Sequence, residues 1–148
     1  MDPDRAIDRI ELRDLVDGYA RAADRGDRVA FEALFEPDAT VTILRAGAEP
    51  FTYHGAHELG EIVPKLGRYL RTFHLVGSHW CTVGEKRSSG EAYCQAHHVL
   101  ERDGGAVDLV LTIRYVDAYE RHHDAWRFAS REVHILWTSE LPLASGPL

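Results

Sequence analysis

Hydrophobic positions recur at helical spacing near the start of the chain. Between residues 7 and 23 apolar side chains return every three or four positions, which predicts an amphipathic helix. Gly26 is suited to end that helix, and Asp27 to cap a second short helix over 28–35. Pro37 then ends the second helix, since proline cannot continue it.

The following segment alternates between short strands and one more helix. Residues 39–46 alternate in polarity and contain β-branched side chains, which predicts a strand. A turn follows, and residues 51–55 are predicted to form a short strand or its exit. Residues 56–69 have the pattern of a third helix, disturbed by Pro64 and Gly67.

The second half of the chain changes to strand periodicity. Turn signals at 85–90, 103–105 and 121–124 separate four β-rich runs, which predicts an antiparallel meander. Helices gathered before and beside such a sheet are typical of an α+β domain. One domain over residues 1–148 is expected, with its core at about 5–138 and an irregular tail at 139–148. The four predicted strands are 72–84, 90–101, 106–120 and 125–138.

Hairpin geometry assigns side chains to the two faces of this sheet. The predicted turn positions place His98 opposite Leu111 and Tyr115 opposite Arg131, and residues two apart share a face. The resulting apolar face must cover the core or a cavity, whereas the opposite face is largely polar. The inward set is Cys94, Ala96, His98, Leu109, Leu111, Ile113, Tyr115, Asp117, Arg131, Val133, Ile135 and Trp137, and the outward set is Gln95, His97, Thr112, Arg114, Ser130, Glu132 and His134.

The first hairpin leaves two registers open. With its centre at residue 88, His74, Val76, Ser78 and Trp80 face inward. With its centre half a residue earlier, Phe73, Leu75, His79 and Cys81 do so instead.

Composition and charge exclude several classes of function. The chain carries 24 acidic and 17 basic residues, and no segment is rich in Lys and Arg, so a nucleic-acid partner is not expected. No apolar run reaches 18 residues and the first residues are acidic and polar, so neither a membrane span nor a signal peptide is expected. Two cysteines without CxxC spacing agree with a cytoplasmic protein.

Three segments resemble a known family. Residues 18–41 (GYARAADRGDRVAFEALFEPDATV) resemble the opening of the SnoaL-like branch of the nuclear-transport-factor-two superfamily. Residues 71–79 (RTFHLVGSH) resemble its H-x-x-x-N segment, with Ser78 in place of Asn. Residues 114–133 (RYVDAYERHHDAWRFASREV) resemble its R-Y-x-D-x-[YF] … W-R … R signature.

The resemblance covers roughly residues 5–138 and implies a fold. It is a cone-shaped, curved, mostly antiparallel sheet wrapped around N-terminal helices, an α+β barrel that encloses a pocket. In that fold His74 points inward, which decides between the two registers of the first hairpin. The superfamily hosts several reactions as well as non-catalytic binders, so the fold alone does not name an activity.

Relatives within the family imply roles for individual residues. Scytalone dehydratase, bile-acid 7α-dehydratase and hexachlorocyclohexane dehydrochlorinase use an Asp–His pair, which would correspond here to Asp24 and His74. Tyr19 matches a tyrosine of the bile-acid enzyme, His98 approximately matches a second pocket histidine of scytalone dehydratase, and Arg131 falls at a functional arginine of the dehydrochlorinase. Ser78 removes any amide contact expected at the Asn position.

These residue types suit proton transfer. An imidazole is the natural base near neutral pH, and a carboxylate on its other nitrogen fixes the tautomer. Tyr19, His98 or Tyr115 would then donate to a substrate oxygen. The resemblance thus implies a cofactor-independent lyase, dehydratase-like, or an isomerase acting on a hydrophobic, cyclic small molecule. The alternative is a non-catalytic small-molecule-binding or assembly module of the same fold.

Structural explanations exist for each of these residues. Asp24 could cap the end of its helix, His74 could be a satisfied core histidine, and Arg131 could form a buried pair with Asp117 or Tyr115. His97 and His98 are adjacent but lack HxH or HxxxH spacing and an obvious third ligand, so no metal or other cofactor is expected. A homo-oligomer, dimeric or trimeric, is expected through the polar outer face.

Overall fold

The computed structural model describes residues 3–146, and its helices lie in the first half of the chain. They are α1 (Pro3–Arg25), α2 (Arg28–Glu32), α3 (Ala56–Leu59) and α4 (Ile62–Leu66). Gly26 ends α1 with a φ of 66°, a left-handed conformation that glycine adopts without strain. Asp27 caps α2 by accepting a hydrogen bond from the backbone N–H of Ala30 at 3.0 Å, as the sequence predicted.

Two of the predicted helical boundaries were wrong. The second helix ends at Glu32, and Phe35 already belongs to the first strand, where it pairs with Phe128. The predicted third helix over 56–69 is divided into α3 and α4. Gly60 and Glu61 lie between these two helices, and Gly67 follows the last residue of α4.

A single six-stranded sheet forms the rest of the described chain. Its strands are β1 Phe35–Arg45, β2 Phe51–His54, β3 Arg71–Thr82, β4 Arg87–Arg102, β5 Gly105–His122 and β6 Ala125–Pro142. They lie in the order β2-β1-β6-β5-β4-β3, with β1 parallel to β6 and every other neighbouring pair antiparallel. The fold is therefore α+β with a curved, mostly antiparallel sheet, as predicted, but the sheet stays open between β2 and β3 and does not close into a barrel.

The irregular tail begins later in the structure than the sequence predicted. Strand β6 continues to Pro142, where it pairs with Val107 of β5. The long β5 strand offers hydrogen-bonding partners over its whole length, so the polar residues after 138 extend the ladder. Residues 143–146 lie outside regular structure.

The core lies between α1 and the concave face of the sheet. Leu12 and Val16 of α1 are fully buried, as are Phe31 of α2 and Phe128 of β6. Burial of such side chains is worth about 1.5–3 kcal/mol each relative to exposure, so this layer fixes α1 against the sheet. No helix within residues 3–146 is long and apolar enough to cross a membrane.

The predicted faces of β4 and β5 are confirmed, although the predicted partners are displaced by two residues. His98 pairs with Leu109 instead of Leu111, and Tyr115 pairs with Val133 instead of Arg131. A shift of two residues keeps every side chain on its predicted face, since strand side chains alternate with a period of two. His98, Tyr115 and Arg131 are therefore buried on the inner side.

A β-bulge in β3 reconciles the two registers left open for the first hairpin. The pairing shifts between Val76 and His79, so that an extra residue enters β3. His74 and Val76 face inward before the bulge, as in the first register, whereas His79 faces inward after it, as in the second. Trp80 consequently lies on the outer face and is 46% exposed, contrary to the first register.

A second bulge corrects the prediction for Trp137. The pairing of β5 with β6 shifts between Thr112 and Ile113, which pair with Trp137 and Ile135 respectively. Trp137 therefore shares the outer face with Thr112 and is 61% exposed.

Candidate active site

The concave side of the sheet contains a small, mostly apolar cavity. Its volume is about 140 Å³, and it lies between the ends of α1 and α4 and strands β1 to β6. His74, His98, Tyr19 and Tyr115 supply its polar groups. The apolar walls are Ala23, Ile43, Ile62, Leu66, Ala96, Leu111, Ile113, Val133 and Ile135, with Tyr53 at the side.

Asp24 and His74 form a hydrogen-bonded pair at the edge of this cavity. The Nδ1 atom of His74 lies 2.6 Å from Oδ1 of Asp24, although 50 residues separate them in the sequence. The His74 side chain is 7% exposed and that of Asp24 is 22% exposed. Because Nδ1 is engaged by the carboxylate, Nε2 is the ring nitrogen left for the cavity.

The Asp24 carboxylate is held by further donors from β3. The backbone N–H of His74 donates to Oδ2 at 2.8 Å, and the Thr72 hydroxyl donates to Oδ1 at 3.0 Å. Burial acts to raise the pKa of Asp24, but the hydrogen bonds from His74 and Thr72 outweigh it and hold that pKa below its ordinary value. Asp24 is therefore a carboxylate at neutral pH.

His98 lies beside His74 and is kept neutral by its surroundings. The ring centroids of the two histidines are 5.7 Å apart, and the Tyr69 ring stacks on His98 at 4.4 Å. Burial, with further contributions from His74 and Arg68, lowers the pKa of His98 to about 4. Neither of its buried ring nitrogens has a hydrogen-bond partner among the described residues, so one N–H and one lone pair remain for a ligand.

Tyr19 and Tyr115 form the cavity floor. Their rings meet edge-on with centroids 5.7 Å apart, and both side chains are almost completely buried. Burial raises the pKa of Tyr19 to about 12 and raises the pKa of Tyr115 well above its ordinary value. Both phenols therefore stay protonated at neutral pH.

Arg131 lies under this floor and is not among the residues that line the cavity. Its Nε and Nη2 atoms donate to the two oxygens of Asp117 at 2.7 and 2.8 Å, and the Tyr119 hydroxyl donates to the same carboxylate at 2.9 Å. The guanidinium lies 3.8 Å from the Tyr115 ring centroid and 4.3 Å from that of Tyr19. This geometry favours the structural alternative for Arg131, because a ligand in the cavity reaches the tyrosines first.

A second Asp–His pair lies on the opposite face of the sheet. Nδ1 of His97 is 2.6 Å from Oδ2 of Asp108, the same separation as in the first pair. His97 points away from the cavity, whereas its neighbour His98 faces it. Within residues 3–146 no group of three His, Cys, Asp or Glu side chains has the arrangement of a metal site.

Several residues of the site were not singled out by the sequence. Thr72 precedes His74 by two positions in a strand and therefore shares its face, which is a signal that the pattern contained. Tyr69, which stacks on His98, follows the end of α4 at Leu66, whereas the sequence had assigned it to the third helix. Nε2–H of His79 donates to the Tyr119 hydroxyl at 3.3 Å, since that hydroxyl already donates to Asp117, and the β3 bulge places His79 on the inner face.

Solved structures with the same fold cover nearly the whole chain. A candidate scytalone dehydratase from Novosphingobium aromaticivorans is 19% identical with a TM-score of 0.81, and the match covers 98% of this chain and 95% of that one. Hexachlorocyclohexane dehydrochlorinase LinA-type3 from Novosphingobium barchaimii is 19% identical with a TM-score of 0.80, covering 100% and 98%. The Kfla4162 protein from Kribbella flavida is 23% identical with a TM-score of 0.78, covering 91% and 95%.

Identities this low establish a shared fold and leave the reaction open. No curated protein is similar to the chain in sequence. The sequence profile of the SnoaL-like domain, by contrast, matches residues 4–132, which include nearly all of α1, most of the cavity walls and the Asp24–His74 pair. The profile covers most of the chain, and the observed fold is the one that this family has. The chain therefore belongs to the SnoaL-like family of the nuclear-transport-factor-two-like fold.

Proposed function

We propose that the protein is a cofactor-independent lyase of the dehydratase type, or an isomerase, acting on a hydrophobic, cyclic small molecule. The observation that carries this proposal is the 2.6 Å hydrogen bond between Asp24 and His74 at the edge of a mostly apolar cavity. Two solved structures of the same fold are described as a hexachlorocyclohexane dehydrochlorinase and a candidate scytalone dehydratase. Both names denote eliminations, which supports a reaction that begins with removal of a proton.

His74 is the proposed general base. With its Nδ1–H donated to the Asp24 carboxylate, Nε2 carries the lone pair that takes a proton from a substrate carbon. The imidazolium that forms is stabilised by Asp24, which stays ionised because its pKa is low. The electron pair left on carbon then forms a double bond, either expelling a leaving group or moving onto an adjacent carbonyl oxygen.

His98, Tyr19 and Tyr115 are the proposed partners of the substrate oxygen. All three are neutral donors at pH 7 because burial disfavours their charged forms. His98 fits this role best, since both of its buried ring nitrogens are free of protein partners within the described chain. In the apolar cavity, a hydrogen bond to an oxygen that gains negative charge is stronger than in water.

The experiment is a deprotonation assay in D₂O, followed by NMR, on a panel of cyclic ketones and β-hydroxy ketones. Ligand retained through purification and identified by mass spectrometry would join the panel. We expect His74→Ala to lower turnover by about 10²–10⁴-fold and Asp24→Asn to lower it by about 10²-fold or more.

The matched controls are His97→Ala and Asp108→Asn. They break an Asp–His hydrogen bond of the same length on the other face of the sheet, and they should leave turnover unchanged. If Asp24→Asn and His74→Ala both keep full turnover while folded, the enzymatic assignment fails. A ligand that binds in the cavity without conversion would instead favour the non-catalytic binding module.

We also propose that the protein self-associates through its outer sheet face in the cytoplasm. The sequence predicted a largely polar outer face, but the structure also exposes Leu75, Tyr93, Leu136 and Trp137 there, each at least 46% exposed. These four side chains line one depression on the outer face, and contiguous exposed apolar side chains are typical of an interface. Trp137→Glu should convert a dimer or trimer to monomer in analytical ultracentrifugation, and a wild-type monomer would refute the proposal. The unpaired Cys81 and Cys94 are consistent with a reducing compartment.

A further inference from the structure

The inner cavity opens into a wider mouth of different chemistry. This mouth has a volume of about 430 Å³ and shares seven wall residues with the inner cavity, so the two are continuous. Its rim carries three cationic side chains, Arg45, Lys65 and Arg68, and one acidic side chain, Glu49. The shared residues are Ile43, Tyr53, Ile62, Leu66, His98, Leu111 and Ile135.

The three cations are not neutralised by carboxylates of the described chain. Lys65 Nζ donates to the hydroxyl of Tyr53 at 3.1 Å, and Arg68 Nη2 donates to the hydroxyl of Tyr69 at 2.7 Å. Within residues 3–146 no carboxylate oxygen lies within 4.0 Å of the charged nitrogens of Arg45, Lys65 or Arg68. Their positive charge is therefore available to a ligand.

This arrangement is unusual for the molecule. The whole chain has a formal net charge of −7, whereas the mouth has three cations against one acid, a local balance of +2. Several half-buried arginines elsewhere pair with acids, as in Arg13 with Asp17 and Arg28 with Glu32. A cationic rim on an acidic protein draws anions towards an apolar cavity.

A series of ring contacts also connects the cationic rim to His74, the proposed base. The Arg68 guanidinium lies 4.8 Å from the Tyr69 ring centroid, Tyr69 stacks on His98, and His98 lies beside His74. A ligand that places a ring beside His74 therefore extends past His98 towards Arg68 and Lys65. The exit from the cavity and the cationic rim coincide.

We propose that the substrate is an amphipathic anion, whose apolar ring fills the inner cavity and whose acidic group lies at the mouth against Arg68, Lys65 and Arg45. This inference deepens the proposed function, and it rests on that function because the ligand is a substrate only if the proposed reaction takes place. The acidic group is a carboxylate or a phosphate monoester, since both pair with guanidinium and ammonium groups.

The test compares ligands that differ only in charge. 1-Naphthaleneacetate and cyclohexylacetate are titrated calorimetrically against the wild-type protein beside their neutral amides, at low ionic strength and at about 0.15 M salt. With two or three exposed charge contacts we expect each acid to bind about tenfold more tightly than its amide, and salt to reduce that ratio. 1-Naphthyl phosphate forms the second arm, and the tighter anion identifies the acidic group.

Charge-removing variants locate the effect. Arg68→Gln combined with Lys65→Gln should reduce the preference for acid over amide to below about threefold. Lys86→Gln is the matched control, because Lys86 is exposed at the turn between β3 and β4, remote from the mouth. It should leave the ratio unchanged.

The inference is overturned if acid and amide bind equally, if no anion binds at millimolar concentration, or if the Lys86 variant reduces the ratio as much as the mouth variants. These binding measurements do not depend on turnover. A retained acid preference with full turnover in Asp24→Asn and His74→Ala would refute the proposed reaction alone. Turnover of neutral substrates without any acid preference would refute this inference alone.

Discussion

Because the pKa of His98 is low in the folded protein, the free energy of unfolding depends on pH between about 4 and 6.5, an interval that extends above the range in which carboxylates titrate. In the unfolded chain His98 has its ordinary pKa of 6.5, and in the folded protein the pKa is about 4. Burial is the largest cause, His74 and Arg68 add to it, and Asp24 and Asp108 partly offset it. Between these two pH values the unfolded chain binds a proton that the folded protein does not, so stability falls as pH drops.

The size of the effect follows from the difference in pKa. Each unit is worth about 1.36 kcal/mol, so up to about 3 kcal/mol of unfolding free energy is lost between pH 6.5 and 4. A domain of this size has about 5–15 kcal/mol in total, so the loss is measurable. The full contribution is present above pH 6.5 and disappears as pH falls to 4.

The assay is urea unfolding at several pH values between about 4 and 7.5, on the wild type and His98→Leu. Leucine keeps an apolar side chain in the site but binds no proton, so the variant should lose less stability at low pH, by up to about 3 kcal/mol. His57→Gln, at an exposed position in α3, is the matched control and should follow the wild type. Equal pH dependence in the wild type and His98→Leu would refute the reasoning, as would an NMR titration that gives His98 a pKa of 6.5 or higher.

Two further predictions concern stability. Asp117→Asn should lower the free energy of unfolding by about 3–5 kcal/mol, because it leaves the fully buried Arg131 charge without its carboxylate; in thermal melts it should be rescued in part by Arg131→Met in the same chain. Phe31→Ala should cost about 3–5 kcal/mol in urea unfolding, since this ring is fully buried against Tyr19 and Phe35, and a loss below about 1 kcal/mol would contradict the packing described here.

The faces of β4 and β5 could be predicted from the sequence because their pairing is continuous. Every residue from Arg87 to Arg102 has a partner in β5 without interruption, so parity alone assigns each side chain. The exact partners could not be predicted, since they depend on which residues form the turn. An error of two residues changes the partner but not the face.

The sheet face of each residue beyond a bulge could not be predicted from the sequence. A bulge adds one residue to one strand and inverts the faces of everything after it, and no residue type marks it in advance. Trp80 and Trp137 were misassigned for this reason, whereas His74 precedes the bulge of β3 and His98 lies in an uninterrupted strand. The register of the first hairpin needed the family resemblance, and its choice was correct only as far as Val76.

The Asp24 carboxylate has two roles that one substitution can separate. It joins the last turn of α1 to β3 through Thr72 and the His74 backbone, and it orients the His74 ring. Asp24→Asn disturbs both roles, so a loss of turnover in that variant could arise from either one. Thr72→Val removes only the hydroxyl donor and keeps a β-branched side chain in the strand.

We expect Thr72→Val to reduce the free energy of unfolding by about 1 kcal/mol, the typical value of one hydrogen bond, and to keep most of the turnover. It should also raise the pKa of Asp24, because one of the bonds that lowers it is lost. Urea unfolding and an NMR titration of the Asp24 carboxyl measure these two effects. A folded Thr72→Val protein that loses as much turnover as Asp24→Asn would show that the tether of α1 to β3 governs the activity, and that orientation of the His74 ring by a carboxylate does not.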